Sequence, residues 1–122
     1  RGNNNKIHIM PSSELQSVNI NIGNHMEISN SEIFIDEAAC IVNIEILVEQ
    51  HHCKLHVGKK CLMSKDILFR LGEIPHLVFD SETHEYVDTP HDLIIGDHVW
   101  IGAGATILKK TKIGNNCIVI RK

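Results

Sequence analysis

A period of six across residues 95–119 limits what this chain can fold into more than any other feature. Ile95, Ile101, Ile107 and Ile113 open successive sextets, and Gly96, Gly102 and Gly114 follow three of those four residues. The fifth place holds Val99, Ala105, Thr111 and Cys117, all small to medium. A helical face would recur every three to four residues and would avoid the four glycines (Gly96, Gly102, Gly104, Gly114) of this short run. A sustained period of six is the mark of a parallel β-helix, in which each repeat is one short strand plus a turn. The opening aliphatic then points inward and stacks on its equivalent in the next coil. The glycine allows the turn a positive φ, and the fifth residue is small because it also faces a narrow interior.

The repeat extends imperfectly toward the N-terminus. Val57, Met63 and Phe69 open sextets, with Gly58 after the first and Cys61 in the small place. Earlier still, Lys6-Ile7-His8-Ile9 and Asn19-Ile20-Asn21-Ile22 alternate as strands do, and Gly2-Asn3-Asn4-Asn5 and Gly23-Asn24 supply turns. Ile35 and Ile41 are six apart with Ala39 in the small place, and an aliphatic run follows over 41–48. The first third therefore reads as early coils with imperfect turns. The segment Ser12-Ser13-Glu14-Leu15-Gln16 is too short to count as a helix. Between about 70 and 94 the register is lost, and this interval holds Glu73, His76, Asp80, Glu82, His84, Glu85, Asp88 and His91. A loop interrupting a regular solenoid is where function is expected.

At 122 residues the chain reads as one all-β domain over 1–122. The core of a β-helix is thin and gains burial by stacking and association. A net charge of −3 argues against nucleic acid as a partner, and no uninterrupted apolar run is long enough to span a membrane. Both ends fall inside patterned sequence, as expected of a piece of a longer β-helix. Cys40, Cys53, Cys61 and Cys117 form no CxxC pair. Cys61 and Cys117 occupy small inward places, so reduced thiols packed as small hydrophobes are expected, which suits a cytoplasmic location.

The stretch Ile94-Ile95-Gly96-Asp97-His98-Val99-Trp100-Ile101-Gly102 resembles the hexapeptide-repeat acyltransferases, in particular the O-acetyltransferases that modify sugars. The resemblance implies a left-handed coil, opposite to the usual hand of parallel crossovers. It also implies a homotrimer with each active site between adjacent helices, and acetyl transfer from acetyl-coenzyme A to a hydroxyl of a sugar or cell-surface glycan. The segment 70–80, with Arg70, Glu73, His76 and Asp80, resembles the part of the family that carries the general base, which would be His76. Imidazole suits that task, since a hydroxyl attacks a thioester only as its proton leaves. Relatives commonly place an aspartate two residues before the histidine. Here Glu73 stands three before it, with Ile74-Pro75 between, so the orienting acid is open among Glu73, Asp80 and Glu82.

Trp100 is the single tryptophan and falls at an outward place, where it is either an interface residue or a ligand platform. The resemblance puts it near the cofactor and substrate cleft. From 71 to 108 there are seven acids and no Lys or Arg; then Lys109, Lys110 and Lys112 arrive together, a cationic cluster suited to coenzyme A phosphates. Gly102-Ala103-Gly104-Ala105 offers small residues and open backbone N–H groups along which a pantetheine arm would lie. His51, His52 and His56 are the densest histidine group. On the same fold the γ-class carbonic anhydrases bind zinc with histidines from two subunits, but their surrounding acid and Gln pattern is missing here, so no metal ligand is assigned. The other alternative is a non-catalytic or inactive β-helix fragment, suggested by the irregular first third and the altered spacing before His76.

Overall fold

The computed structural model describes residues 2–24, 26–73, 77–87 and 89–121. Its strands in chain order are β1 (Lys6–Ile9), β2 (Glu14–Ile22), β3 (Glu32–Ile35), β4 (Cys40–Val48), β5 (Lys54–Val57), β6 (Leu62–Met63), β7 (Ile67–Leu71), β8 (Leu93–Ile95), β9 (Trp100–Ile101), β10 (Thr106–Leu108), β11 (Lys112–Ile113) and β12 (Ile118–Val119). Every strand ladder is parallel. Among the described residues no helix is long and apolar enough to cross a membrane.

The chain winds through three rows of strand per coil. The first row stacks β1-β3-β5-β8-β11. The second carries Cys40–Ile41 of β4 on β6, then β9 and β12; the third carries Ile44–Val48 of β4 on β7, then β10. The aliphatic run at 41–48 is thus one strand that passes unbroken through two rows. Inward positions stack by coil: Ile35, Val57 and Ile95 in the first row, Ile41, Met63 and Ile101 in the second, Ile46, Phe69 and Ile107 in the third. All of these are buried, as are the small-place residues Ala39, Cys61, Val99 and Ala105. Burying one such aliphatic side chain contributes about 1.5–3 kcal/mol.

The corner between the first and second rows repeats closely. Ala38, Lys60, His98 and Asn116 all have positive φ there, so the left-handed turn residue stands two places after Gly58, Gly96 and Gly114 and is not the glycine that the sextets suggest. The N–H of each donates to the coil before it: Ala38 to Pro11 O, Lys60 to Glu37 O, His98 to Lys59 O and Asn116 to Asp97 O. Side-chain oxygens add a second ladder, with Asn115 Oδ1 accepting from Asp97 N at 2.8 Å and Asp97 Oδ1 accepting from Lys59 N at 2.8 Å.

The irregularity of the chain collects almost wholly at another corner. Ile94 pairs with Lys112, eighteen positions on, as three sextets require. Ile7 pairs with Ile33, Ile33 with Leu55, and Leu55 with Leu93, steps of 26, 22 and 38. Most of the surplus lies between the third row of one coil and the first row of the next, at 23–31, 49–53 and 72–92. The register slips expected in the first third have this origin. The inserted loop expected at about 70–94 is the largest of the three and spans 72–92. In a three-sided coil this corner is opposite the second row.

Candidate active site

The loop is built from local contacts. Phe79 and Tyr86 form an antiparallel bridge with ring centroids 5.6 Å apart. Asp80 caps the turn: its Oδ1 accepts from Glu82 N at 2.9 Å and Thr83 N at 2.8 Å, and these N–H groups hold its carboxyl below the usual aspartate range. Leu77, Val78, Phe79, Tyr86 and Val87 are all exposed, so the hairpin presents an apolar surface that this chain does not cover.

At the base of the loop, Arg70 Nε donates to Gly72 O at 3.3 Å and its guanidinium pairs with Glu73 at 3.3 Å. Lys109 Nζ donates to Thr89 O at 2.8 Å and to Gln50 Oε1 at 2.7 Å. His91 Nε2 lies 3.1 Å from Thr89 Oγ1. His76, the expected base, lies outside the described residues. Of the three acids that could orient it, Glu73 is engaged by Arg70 and Asp80 by its own turn. The Glu82 backbone contributes to that turn, and its side chain is exposed.

Trp100 points outward from the second row, as its place in the sextet implies, and is 42% exposed. It stands in a column between Leu62 and Ile118, its strand partners one coil either side. Its indole N–H donates to Ser64 Oγ at 3.3 Å. Leu62, Trp100 and Ile118 line a groove of about 380 Å³ together with Lys60, His98, Asn116 and Cys117. His98 Nδ1 lies 3.0 Å from Asn116 Oδ1. Sequence reasoning passed over Leu62, Ser64 and His98; Leu62 is the strand partner of Trp100 one coil earlier, but the loop lies between them, and Ser64 stands two places beyond that partner.

A second hollow runs along the outside of the first row. One part, about 270 Å³, is lined by Glu32, Phe34, Lys54, His56, Asp92 and Ile94; the next, about 370 Å³, by His91, Asp92, Ile94, Lys110 and Lys112. The shared residues Asp92 and Ile94 make them one trough beside the returning limb of the loop. Phe34 and His56 stack within it at 5.0 Å, 19° from parallel.

The glycine–alanine run is less open than its composition suggests. Gly102 N–H is spent on Val119 O at 2.7 Å and Gly104 N–H on Lys65 O at 3.0 Å, because both residues serve the stacking of coils. Ala105 faces the interior at 7% exposure, while Ala103 is exposed at the corner. Of the lysines, Lys110 and Lys112 line the trough, and Lys109 is turned to the loop base. His51, His52 and His56 do not converge: His51 Nδ1 accepts from Ser29 N at 2.9 Å, whereas His56 stacks on Phe34. All four cysteines are free. Cys53 and Cys61 are buried, and burial pushes the Cys61 thiol above its ordinary pKa.

Parallel coils with small inward fifth residues and an outward tryptophan make this a hexapeptide-repeat β-helix, left-handed as its structural neighbours are. Residues 92–119 match the family described as bacterial transferase hexapeptide (six repeats). The chain is similar to the polysialic acid O-acetyltransferase of Neisseria meningitidis, 29% identical over 125 residues, covering 88% of this chain and 57% of that protein. It is also similar to the polysialic acid O-acetyltransferase of Escherichia coli O1:K1 / APEC, 24% identical over 88 residues, 71% of this chain and 28% of that one. The chain thus spans little more than half of one curated relative and under a third of the other. Two crystal structures share the fold. The polySia-specific acetyltransferase NeuO superposes with a TM-score of 0.56 at 18% identity, over 98% of this chain and 76% of that one. The polysialic acid O-acetyltransferase OatWY superposes with a TM-score of 0.53 at 19% identity, over 97% and 76%. The resemblance to sugar-modifying O-acetyltransferases of the hexapeptide-repeat class holds in both sequence and fold.

Proposed function

We propose that this chain transfers an acetyl group from acetyl-coenzyme A to a hydroxyl of an acidic glycan of the polysialic type. The observation that carries the reading is the Trp100 sextet and its groove, within a sequence similar along most of its length to two polysialic acid O-acetyltransferases. In the proposed reaction His76 takes the proton of the acceptor hydroxyl as the oxygen attacks the thioester carbonyl. Backbone N–H groups of the cleft meet the oxyanion of the tetrahedral intermediate. The carbon–sulfur bond then breaks, and the protonated imidazole returns the proton to the departing thiolate. No covalent enzyme intermediate is needed. Lys110 and Lys112 supply the cationic anchor for phosphate or carboxylate, and the Phe34–His56 stack offers a face on which a sugar ring can lie.

The site is shared between copies in this proposal. The loop leaves the corner opposite the second row, so its hairpin at 77–87 and Trp100 belong to opposite sides of one coil. The apolar hairpin and the outward column of Leu62, Trp100 and Ile118 are two different uncovered surfaces, on those same opposite sides. In this proposal a heterologous contact of one with the other closes into a ring, and the ring is a trimer. Light scattering should therefore give three times the chain mass. A monodisperse monomer at micromolar concentration would sink the shared site.

Kinetics with acetyl-coenzyme A and a sialic acid polymer test the chemistry. His76→Ala should lower kcat by roughly two to four orders of magnitude, with the KM for acetyl-coenzyme A little changed. Trp100→Ala should weaken binding as well as turnover. Full activity in His76→Ala, with the loss appearing in His84→Ala or His91→Ala, would show that another loop histidine is the base.

A further inference from the structure

We infer that Lys109 is a positioning residue that fixes the stance of the inserted loop, and that Gln50 is its seat. The inference rests on the proposal that the loop carries the reacting base. The outgoing limb of the loop lies on a turn of an earlier coil, 49–53, and the returning limb is joined to the same turn through Lys109. On the outgoing limb Gly72 has φ 105°, and a Cβ there would lie 2.6 Å from Gln50 Cβ and 2.9 Å from the Glu49 carbonyl carbon. The limb lies flat on the turn because this residue has no side chain. On the returning limb the Lys109 ammonium reaches Thr89 O at 2.8 Å and Gln50 Oε1 at 2.7 Å at once.

Lys109 is itself held by the coil, its N–H donating to Arg70 O at 2.9 Å. The ammonium therefore joins three things: the last turn of the third row, the returning limb, and the turn under the outgoing limb. Gln50 is only 4% exposed, so little water competes for its amide oxygen, and a charge-assisted hydrogen bond there is stronger than one at the surface. The three lysines that the sequence groups together thus divide their work. Lys110 and Lys112 face the trough, and Lys109 faces the loop.

Removing the ammonium should loosen the loop without unwinding the coils, and lower turnover without weakening donor binding. The test compares the wild-type chain with Lys109→Met, Lys109→Arg and Gly72→Ala, by amide hydrogen exchange and by kinetics. In Lys109→Met, amides at 77–92 should exchange ~10-fold faster while those of β8 and β9 do not change. The kcat should fall about tenfold, with the KM for acetyl-coenzyme A within about twofold. Lys109→Arg keeps a cationic donor and should recover most of both losses. Gly72→Ala should give the same loop signature from the other limb. If Lys109→Met does not fold, Lys109→Gln takes its place in the comparison. Unchanged loop exchange in the substituted chain overturns the inference, as does a rise in KM with kcat intact, which would make Lys109 a phosphate anchor. A wild-type chain that transfers no acetyl group would sink the proposed function, and the exchange result would still decide the loop clamp.

Discussion

The coils at 93–119 and the loop at 72–92 are adjacent in sequence and are held by opposite means. In the coils each residue is placed by its equivalent one period away: Ile95 by Val57 and Ile113, Trp100 by Leu62 and Ile118. In the hairpin of the loop the contacts are local: Asp80 with Glu82 and Thr83, Phe79 with Tyr86. A stacked array spreads the cost of a single defect into its neighbours, since the stability of a solenoid is a sum of repeat and interface contributions. A hairpin confines it. The same substitution should therefore have very different consequences in the two regions.

The sharpest contrast is a charge. Ile107→Asp places a carboxylate in the inward stack beside Phe69, where an unpaired charge costs several kcal/mol, enough to remove the folded state of a marginally stable domain. Ser81→Asp, on the exposed turn of the hairpin, should leave the coil transition within a few degrees. Asn115→Asp at an exposed corner keeps the oxygen that accepts from Asp97 N and should be tolerated too. Soluble yield and thermal denaturation read all three. Equal tolerance of Ile107→Asp and Asn115→Asp would mean that the inward register is wrong.

A subtler contrast lies within the coils. Gly58, Gly96 and Gly114 hold the same place in successive coils. A Cβ at Gly96 would stand 2.9 Å from Asn115 N and 3.0 Å from Gly114 C, and one at Gly58 would meet the backbone of Gly96 and the Asp97 carboxylate. At Gly114 the nearest atom is Cys117 Sγ at 3.9 Å, an ordinary contact. In this chain Gly58→Ala and Gly96→Ala should each cost about 1–3 kcal/mol, and Gly114→Ala close to nothing. Urea midpoints measure the series. A Gly114→Ala loss as large as the other two would show that the glycine is required by its turn, with the coil above contributing nothing.

These contrasts also explain which parts of the molecule the sequence revealed. The sextets at 95–119 exposed the fold, the inward places and the outward Trp100, because a repeated sequence is read against itself. The break in the pattern located the loop. What sextets could not show was the loop's interior, since the Asp80 turn and the Phe79–Tyr86 pair repeat nowhere. The composition there, rich in acids and histidines, suggested a polar loop and hid its apolar hairpin. Nor could they show that Lys109 faces Gln50, 59 positions away in a coil of different length. The glycine–alanine run misled for a related reason. Its N–H groups looked free when read along the chain, and Gly102 and Gly104 spend theirs across coils.

The smallest expected effect belongs to Asp80, and it isolates the loop's own chemistry. Two N–H donors favour the ionised carboxyl, so its pKa in the folded chain is below the ordinary value. A depressed pKa means that the stabilisation is fully present above the ordinary aspartate range, near about 3.9. It is lost as pH falls through the folded value. The carboxyl is fully exposed, so the effect stays within the hairpin, and the coils should not register it. The Phe79–Tyr86 ring contact, followed by NMR from about pH 7 to about pH 3, should weaken at the acid end while the coil resonances hold. Asp80→Asn is the control. Asparagine keeps the accepting oxygen without the charge, and should hold the ring contact at neutral pH and flatten its pH dependence. If the wild-type contact is itself flat, the hairpin stands on its backbone bonds, Asp80 N to Glu85 O at 2.8 Å and Val87 N to Val78 O at 3.0 Å. The loop would then be a rigid pendant placed by its base at Gln50 and Lys109, and its tip chemistry would have no part in aiming it.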